Sequence, residues 1–480
     1  MEQLRYTSED TRFRRLMGLM AVGLLLFYMV CPVAPLRWHD LYMAYGRILI
    51  VVMAAIYFCE RRFLGPVELK LVTFYAIWLF TTRLLNTDFY MQNELELVLS
   101  RVLCCTMLAV GIVLERRERE LLLDIVIAIA GAFYLISALL ALYACIFGVY
   151  FYIPPEATVF GIDNNYMFNA YTYIVAWGSN RTIAAVWFYL GWCMMAYEFF
   201  RCKNKLWRIP ICITWFIFHL TLAFSFTRSL MLAVCGNVAM LVILLGMKHI
   251  KAKKLAVKVV AIALLAVISL PVTYKSFEVL RDTSAVVYNS LDTDIERIAD
   301  EFMTSGFREN SQEGQTFEDP RDLKKSVSNV SQRGEIYASV IPTFKDEPLR
   351  LLIGKYSSKL MDVPNQYQSY PYYHMHNFLL QTLMLTGVIG FGLALAFTVL
   401  MVLKMIRLFF SNHPDASLAI KSLTLPLSGI FIYGMFEIIL FTASADERSV
   451  TDFRELCFFL LAGIFLGYYY EIFPPKNKNR

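Results

Sequence analysis

Apolar runs of about twenty residues, separated by short polar clusters, recur along nearly the whole chain. A bilayer crossing needs ~20 mostly apolar residues. Windows of that size fall at 16–35, 43–60, 67–86, 96–114, 121–149, 181–200, 207–226, 229–248, 255–274, 377–408, 416–442 and 454–473. In lipid the backbone can satisfy its polar groups only within the segment, so these runs are read as helices. The pattern therefore predicts an all-α integral membrane protein with about twelve transmembrane helices.

One long polar stretch interrupts the series, and it separates the ninth helix from the tenth. It divides the chain into an N-terminal bundle (1–273), a loop domain (274–376) and a C-terminal set of helices (377–480). At the start of the loop, Phe277, Leu280, Val286, Val287, Leu291, Ile295, Ile298 and Phe302 recur at three- and four-residue spacing. That spacing suits an amphipathic helix lying at the membrane surface. Residues 305–329 are polar and contain Gly306, Gly314 and Pro320. A second loop helix is expected from Ser331, with Ile336, Tyr337, Val340 and Ile341 on its apolar face and Pro348 marking its end.

Charge then gives the orientation. Arg12, Arg14 and Arg15 precede the first run, and Arg61 and Arg62 follow the second. Arg116, Arg117, Arg201, Lys203, Lys251, Lys253, Lys404 and Arg407 mark later turns, and all these clusters fall on one side if the runs alternate. Basic residues collect on the cytoplasmic side. Both termini are therefore expected in the cytoplasm, with 149–180 and 274–375 outside. The N-terminus shows no small-residue cleavage site after its first apolar run, so no cleaved signal is expected.

Composition agrees: 58% of the 480 residues are hydrophobic, 18% are charged and the mean hydropathy is +0.52. A soluble domain carries ~45–50% apolar and ~25% charged residues. The formal charge of +6 follows from membrane sidedness and gives no reason to expect nucleic acid. The ten cysteines lie in or beside apolar runs and none lies in 274–375, so they are read as buried thiols without a disulfide framework.

On the outer side, where basic residues are scarce, the exceptions carry information. Arg47, Arg83 and Arg101 lie within or near the outer halves of runs, and Arg181 opens the sixth. Arg228 sits in Phe224-Ser-Phe-Thr-Arg-Ser at a short outer turn, and Arg333 begins the second loop helix. An arginine inside the membrane costs at least ~2.5 kcal/mol. Singly, each is explained by reaching the headgroups or by pairing with Glu94, Glu96 or Asp163. Together they suit an anionic ligand, because guanidinium forks bind phosphate oxygens in pairs.

Where the loop re-enters the membrane, Tyr372-Tyr-His-Met-His-Asn places His374 and His376 two residues apart. A metal site, a helix-capping role and a general base are all open to this pair. Zinc needs further ligands at fixed spacing, and none is evident nearby. Position favours His376 as the base, since it abuts Asn377 at the helix start.

Two stretches resemble the O-antigen ligase and polymerase superfamily. The first is Ser331-Gln-Arg-Gly-Glu-Ile-Tyr, running on to Asp346-Glu-Pro. The second is His376-Asn-Phe-Leu-Leu-Gln, followed by Gly387-Val-Ile-Gly390. Phe224-Ser-Phe-Thr-Arg228-Ser is similar to the start of another span in that family, whose glycine-rich turn after the loop helix is reduced here to Gly354. The resemblance implies metal-independent, inverting transfer of a glycan from undecaprenyl diphosphate to a glycan or glycolipid hydroxyl, with no cofactor. It implies His376 as the catalytic histidine and Arg228 and Arg333 as diphosphate-binding residues, with Arg181, His374, Asn377 and Arg101 as accessory candidates. A transporter or flippase for lipid-linked oligosaccharides is the alternative, but no internal repeat of the transporter kind is present.

Overall fold

The computed structural model describes Gly23 and residues 65–86, 91–147, 181–225, 227–250, 255–290, 334–355 (less 335, 339, 346 and 347), 375–441 (less 438) and 453–474. Among these residues every regular element is a helix. The first two expected runs, most of 149–180 and residues 291–333 lie outside the described residues.

The helices are α1 (Val67–Leu85), α2 (Met91–Val113), α3 (Arg116–Phe147), α4 (Arg181–Arg201), α5 (Lys205–Ser225), α6 (Arg228–His249) and α7 (Leu255–Ser290). They continue with α8 (Pro348–Ile353), α9 (Phe378–Phe409), α10 (Leu418–Ser422), α11 (Thr424–Gly434) and α12 (Phe453–Ile472). Six described helices are long and apolar enough to cross a membrane: those beginning at Arg116, Lys205, Arg228, Leu255, Phe378 and Arg454.

α12 lies at the centre of the bundle. Leu456, Phe458, Phe459, Ala462, Ile464, Phe465 and Leu466 along it are all almost wholly buried. α2 packs closest to it, because Gly111 and Gly463 face each other: a Cβ on Gly111 would lie 2.4 Å from the Gly463 carbonyl carbon. Small residues at a crossing let two helical backbones approach, which is how membrane helices gain van der Waals contact.

Ion pairs fix one end of the bundle. Glu68 at the start of α1 pairs with Lys404 near the end of α9, and the Tyr470 hydroxyl of α12 donates to Glu68 at 2.6 Å. Arg119 at the start of α3 is buried against Glu471 of α12. These contacts gather the starts of α1 and α3 with the ends of α9 and α12. The opposite end therefore holds the start of α9, the start of α12, the start of α6 and the end of α11.

Four expectations change. The ninth run does not stop at residue 274 to be followed by a separate surface helix. α7 is continuous to Ser290 through Pro271, so the 273/274 boundary falls inside it. Phe277 is fully buried and stacks on His219 of α5 at 4.4 Å between ring centroids, so its apolar spacing serves bundle packing. In the loop, Pro348 opens α8 instead of ending a helix; its missing N–H is harmless in a first turn. The run 416–442 is not one helix: it breaks between α10 and α11 and unwinds after Gly434. Finally, α9 is interrupted at Gly387, whose φ of 66° and ψ of −169° are non-helical.

The break at Gly387 has an identifiable cause. A Cβ there would lie 2.3 Å from the Leu352 carbonyl oxygen, and one on Gly354 (φ 88°) would lie 2.3 Å from the Leu385 oxygen. The loop backbone thus crosses directly over the broken helix. Carbonyls released by the break find new donors: Lys355 N–H bonds Met384 O at 2.9 Å and Trp78 Nε1 bonds Thr386 O at 2.8 Å. Buried backbone groups need such partners. Residues 378–386 therefore form a short half-helix that carries the His-Asn segment at its outer end.

Candidate active site

Asn377 sets the geometry at the re-entry point. It is the N-cap of α9, and its side-chain oxygen accepts from Leu379 N at 3.0 Å and Leu380 N at 3.1 Å. Two of the orphan N–H groups of the first turn are satisfied in this way. Its amide nitrogen donates to Met435 O at 3.0 Å, tying the helix start to the unwound segment after α11. Gln381, one turn on, accepts from Met375 N at 3.0 Å.

His376 is held between these anchors with φ 46°. A non-glycine residue in the left-handed region stores strain and persists only where its surroundings impose it. Here the Tyr337 hydroxyl of the loop donates to the His376 carbonyl at 3.0 Å. Tyr337 also faces a small loop core of Ile336, Val340, Phe344, Met375, Leu383 and Met384. The loop is thus packed on the half-helix at the point where the histidine emerges.

The imidazole meets a carboxylate that sequence analysis did not single out. His376 Nδ1 lies 3.2 Å from Glu437 Oε2, with the two side chains 28% and 20% exposed. Both are therefore reachable from the outer end yet largely screened. A carboxylate on Nδ1 accepts from that nitrogen and so fixes the tautomer with the proton on Nδ1. The basic atom is then Nε2, on the far side of the ring. Glu437 was hidden because it is a lone acid in an apolar run; the unwinding after Gly434 takes it out of the helix and turns it to the histidine.

Arg228 is the first residue of α6 and is exposed. Its depth follows from helix register. Ser428 of α11 donates to Asn237 of α6 at 3.1 Å, and the two helices run antiparallel, with Ile432 beside Gly236. Arg228 precedes Asn237 by nine helical residues, ~13 Å, and α11 runs from Ser428 toward that same end before it closes at Gly434. Arg228 and the segment that carries Glu437 therefore lie toward the same end of the bundle.

The remaining candidates divide. Arg181 opens α4. Arg333 and His374 lie outside the described residues. Arg101 does not face the outer rim as a ligand-binding cation: its Nη1 lies 2.6 Å from Glu455 Oε1, with 6% and 1% side-chain exposure. Among the described residues its ion-pair partner is Glu455 of α12. Among the described residues, no three of His, Cys, Asp and Glu are grouped to hold a metal ion.

Residues 212–395 match the family model described as O-antigen ligase. No curated protein matches the chain. The matched segment is less than half of the chain. It contains Arg228, His376, Asn377 and the Gly387 break, whereas Glu437, Arg101 and Glu455 lie outside it. Over that segment the chain is thus similar to the O-antigen ligase family, and six of its described helices are long and apolar enough to cross a membrane.

Proposed function

We propose that this chain is a polysaccharide ligase or polymerase that moves a glycan from undecaprenyl diphosphate to a sugar hydroxyl. It works at the outer face of a bacterial cytoplasmic membrane. In this reading about twelve helices cross the bilayer, both termini are cytoplasmic, and the segment between α7 and α9 covers the site from outside. His376 Nε2 takes the proton of the acceptor hydroxyl as its oxygen bonds to the anomeric carbon. On the opposite face the bond between that carbon and the diphosphate oxygen breaks, inverting the centre. Arg228 and Arg333 meet the negative charge that grows on the leaving diphosphate. Glu437 holds the imidazole in the tautomer and orientation this step needs. Arg181 and His374 are accessory to the same outer face. The diphosphate ester is already activated, so the reaction needs neither nucleotide nor metal.

The observation that carries this reading is the His376–Glu437 pair at 3.2 Å, set where the loop meets a broken membrane helix. A transporter of lipid-linked oligosaccharides would instead be expected to show an internal repeat, which the sequence lacks. The test is the species that accumulates when the gene is deleted. Single repeat units on the lipid carrier identify a polymerase, and long chains on the carrier identify a ligase. An unchanged carrier pool rejects both.

A further inference from the structure

Two described non-glycine residues adopt positive φ: His376 and Phe441, the latter at φ 55°. They bracket the proposed reacting pair, since Phe441 closes the unwound segment that presents Glu437. Backbone strain of this kind is retained where surrounding contacts over-determine it. At Phe441 those contacts are explicit. Its N–H donates to Glu455 Oε1 at 2.8 Å, the same oxygen that pairs with Arg101 at 2.6 Å. Its carbonyl accepts from the Tyr75 hydroxyl at 2.5 Å. Its ring is wedged edge-on between Tyr75 at 4.8 Å, Phe397 at 5.5 Å and Phe459 at 5.8 Å. The other end of the segment is fixed by the bond from Asn377 to Met435.

A buried ion pair is expensive in hydrocarbon and rarely justified by stability alone. The carboxylate of this one accepts the backbone N–H of a strained residue four positions beyond Glu437. Resting on the reading of His376 given above, we propose that Glu455, charged against Arg101, and Tyr75 are positioning residues. Acting through Phe441, they hold Glu437 on His376. α1, α2 and α12, which carry no group on the substrate, thereby set the geometry of the reacting pair.

The test is a set of steady-state measurements on the reconstituted full-length protein, using a polyprenyl diphosphate-linked glycan as donor. Glu455→Leu removes the acceptor oxygen, and kcat falls to about the level of Glu437→Gln with KM unchanged. Glu455→Gln keeps that oxygen and recovers most of the loss. The double variant Glu437→Gln/Glu455→Leu is no slower than Glu437→Gln alone, because both act on one contact. Should Glu455→Leu fail to fold, the isosteric Tyr75→Phe gives the same comparison from another helix. Multiplying losses in the double variants, a change in KM alone, or wild-type kcat in Glu437→Gln overturns the proposal. His376→Ala in the same assay separates the two claims. If it turns over, the reading of the site fails; if it is inactive while the other losses multiply, only the positioning claim fails.

Discussion

Nδ1 of His376 and Oε2 of Glu437 lie 3.2 Å apart although the residues belong to different helical hairpins and are separated by 61 positions. The contact exists because α11 ends at Gly434 while the chain continues outward, and because Asn377 caps α9 and grips that continuation at Met435. In Glu437→Gln the amide can either donate to or accept from the ring, so the tautomer with the proton on Nδ1 is no longer fixed. Turnover is expected to fall by at least about tenfold, equal to about 1.4 kcal/mol of transition-state stabilisation. Donor binding is expected to be unchanged. Initial-rate measurements at saturating donor check this.

Arg228 offers a fork of donors at the start of α6, where helix N–H groups add positive potential. Arg228→Lys keeps the charge but loses paired recognition of phosphate oxygens. The expected outcome is weaker donor binding by roughly tenfold, about 1.4 kcal/mol. Titration with a polyprenyl diphosphate analogue measures it, and unaltered affinity removes Arg228 from the diphosphate site.

Gly387 is required by its conformation and by the loop crossing it. Gly387→Ala forces a side chain into φ 66°, ψ −169° and against Leu352 O. The backbone alone is expected to cost roughly 1–3 kcal/mol. Gly392→Ala, in the same helix with nothing within 4 Å of the new Cβ, serves as the tolerated comparison. Thermal unfolding in detergent distinguishes the two, with a lowered midpoint for the first variant only.

The Arg101–Glu455 pair allows stability and activity to be separated. Arg101→Ala strands a buried carboxylate and is expected to destabilise by roughly 3–5 kcal/mol. Replacing both with leucine removes both charges, and near-wild-type stability is expected. Turnover stays low in that double variant, because Phe441 N–H has lost its acceptor. Unfolding midpoints measured beside rates check both halves.

Much of this arrangement was legible in the sequence. Long apolar runs located α1, α4, α5, α6, α9 and α12 within a few residues, since length and hydropathy suffice where lipid is the solvent. Asn377 could be read at a helix start because capping is a local property. What could not be read depends on distant chain segments. α7 outlasts its apolar stretch because Phe277 finds a pocket against His219 of α5. Gly387 breaks α9 because the Leu352–Gly354 backbone arrives from another part of the chain. Arg101 meets Glu455, 354 positions away, on a helix its own neighbourhood in the chain does not announce. Glu437 was invisible for the same reason: nothing local announces that α11 unwinds before it.

The most direct test of the account is glycan transfer by purified His376→Ala in liposomes, with donor binding followed in parallel. A base acting on the acceptor hydroxyl contributes about 10²–10⁴-fold. The account predicts a loss of that size in kcat, with folding and donor affinity retained. Wild-type turnover by a properly folded His376→Ala protein would contradict it.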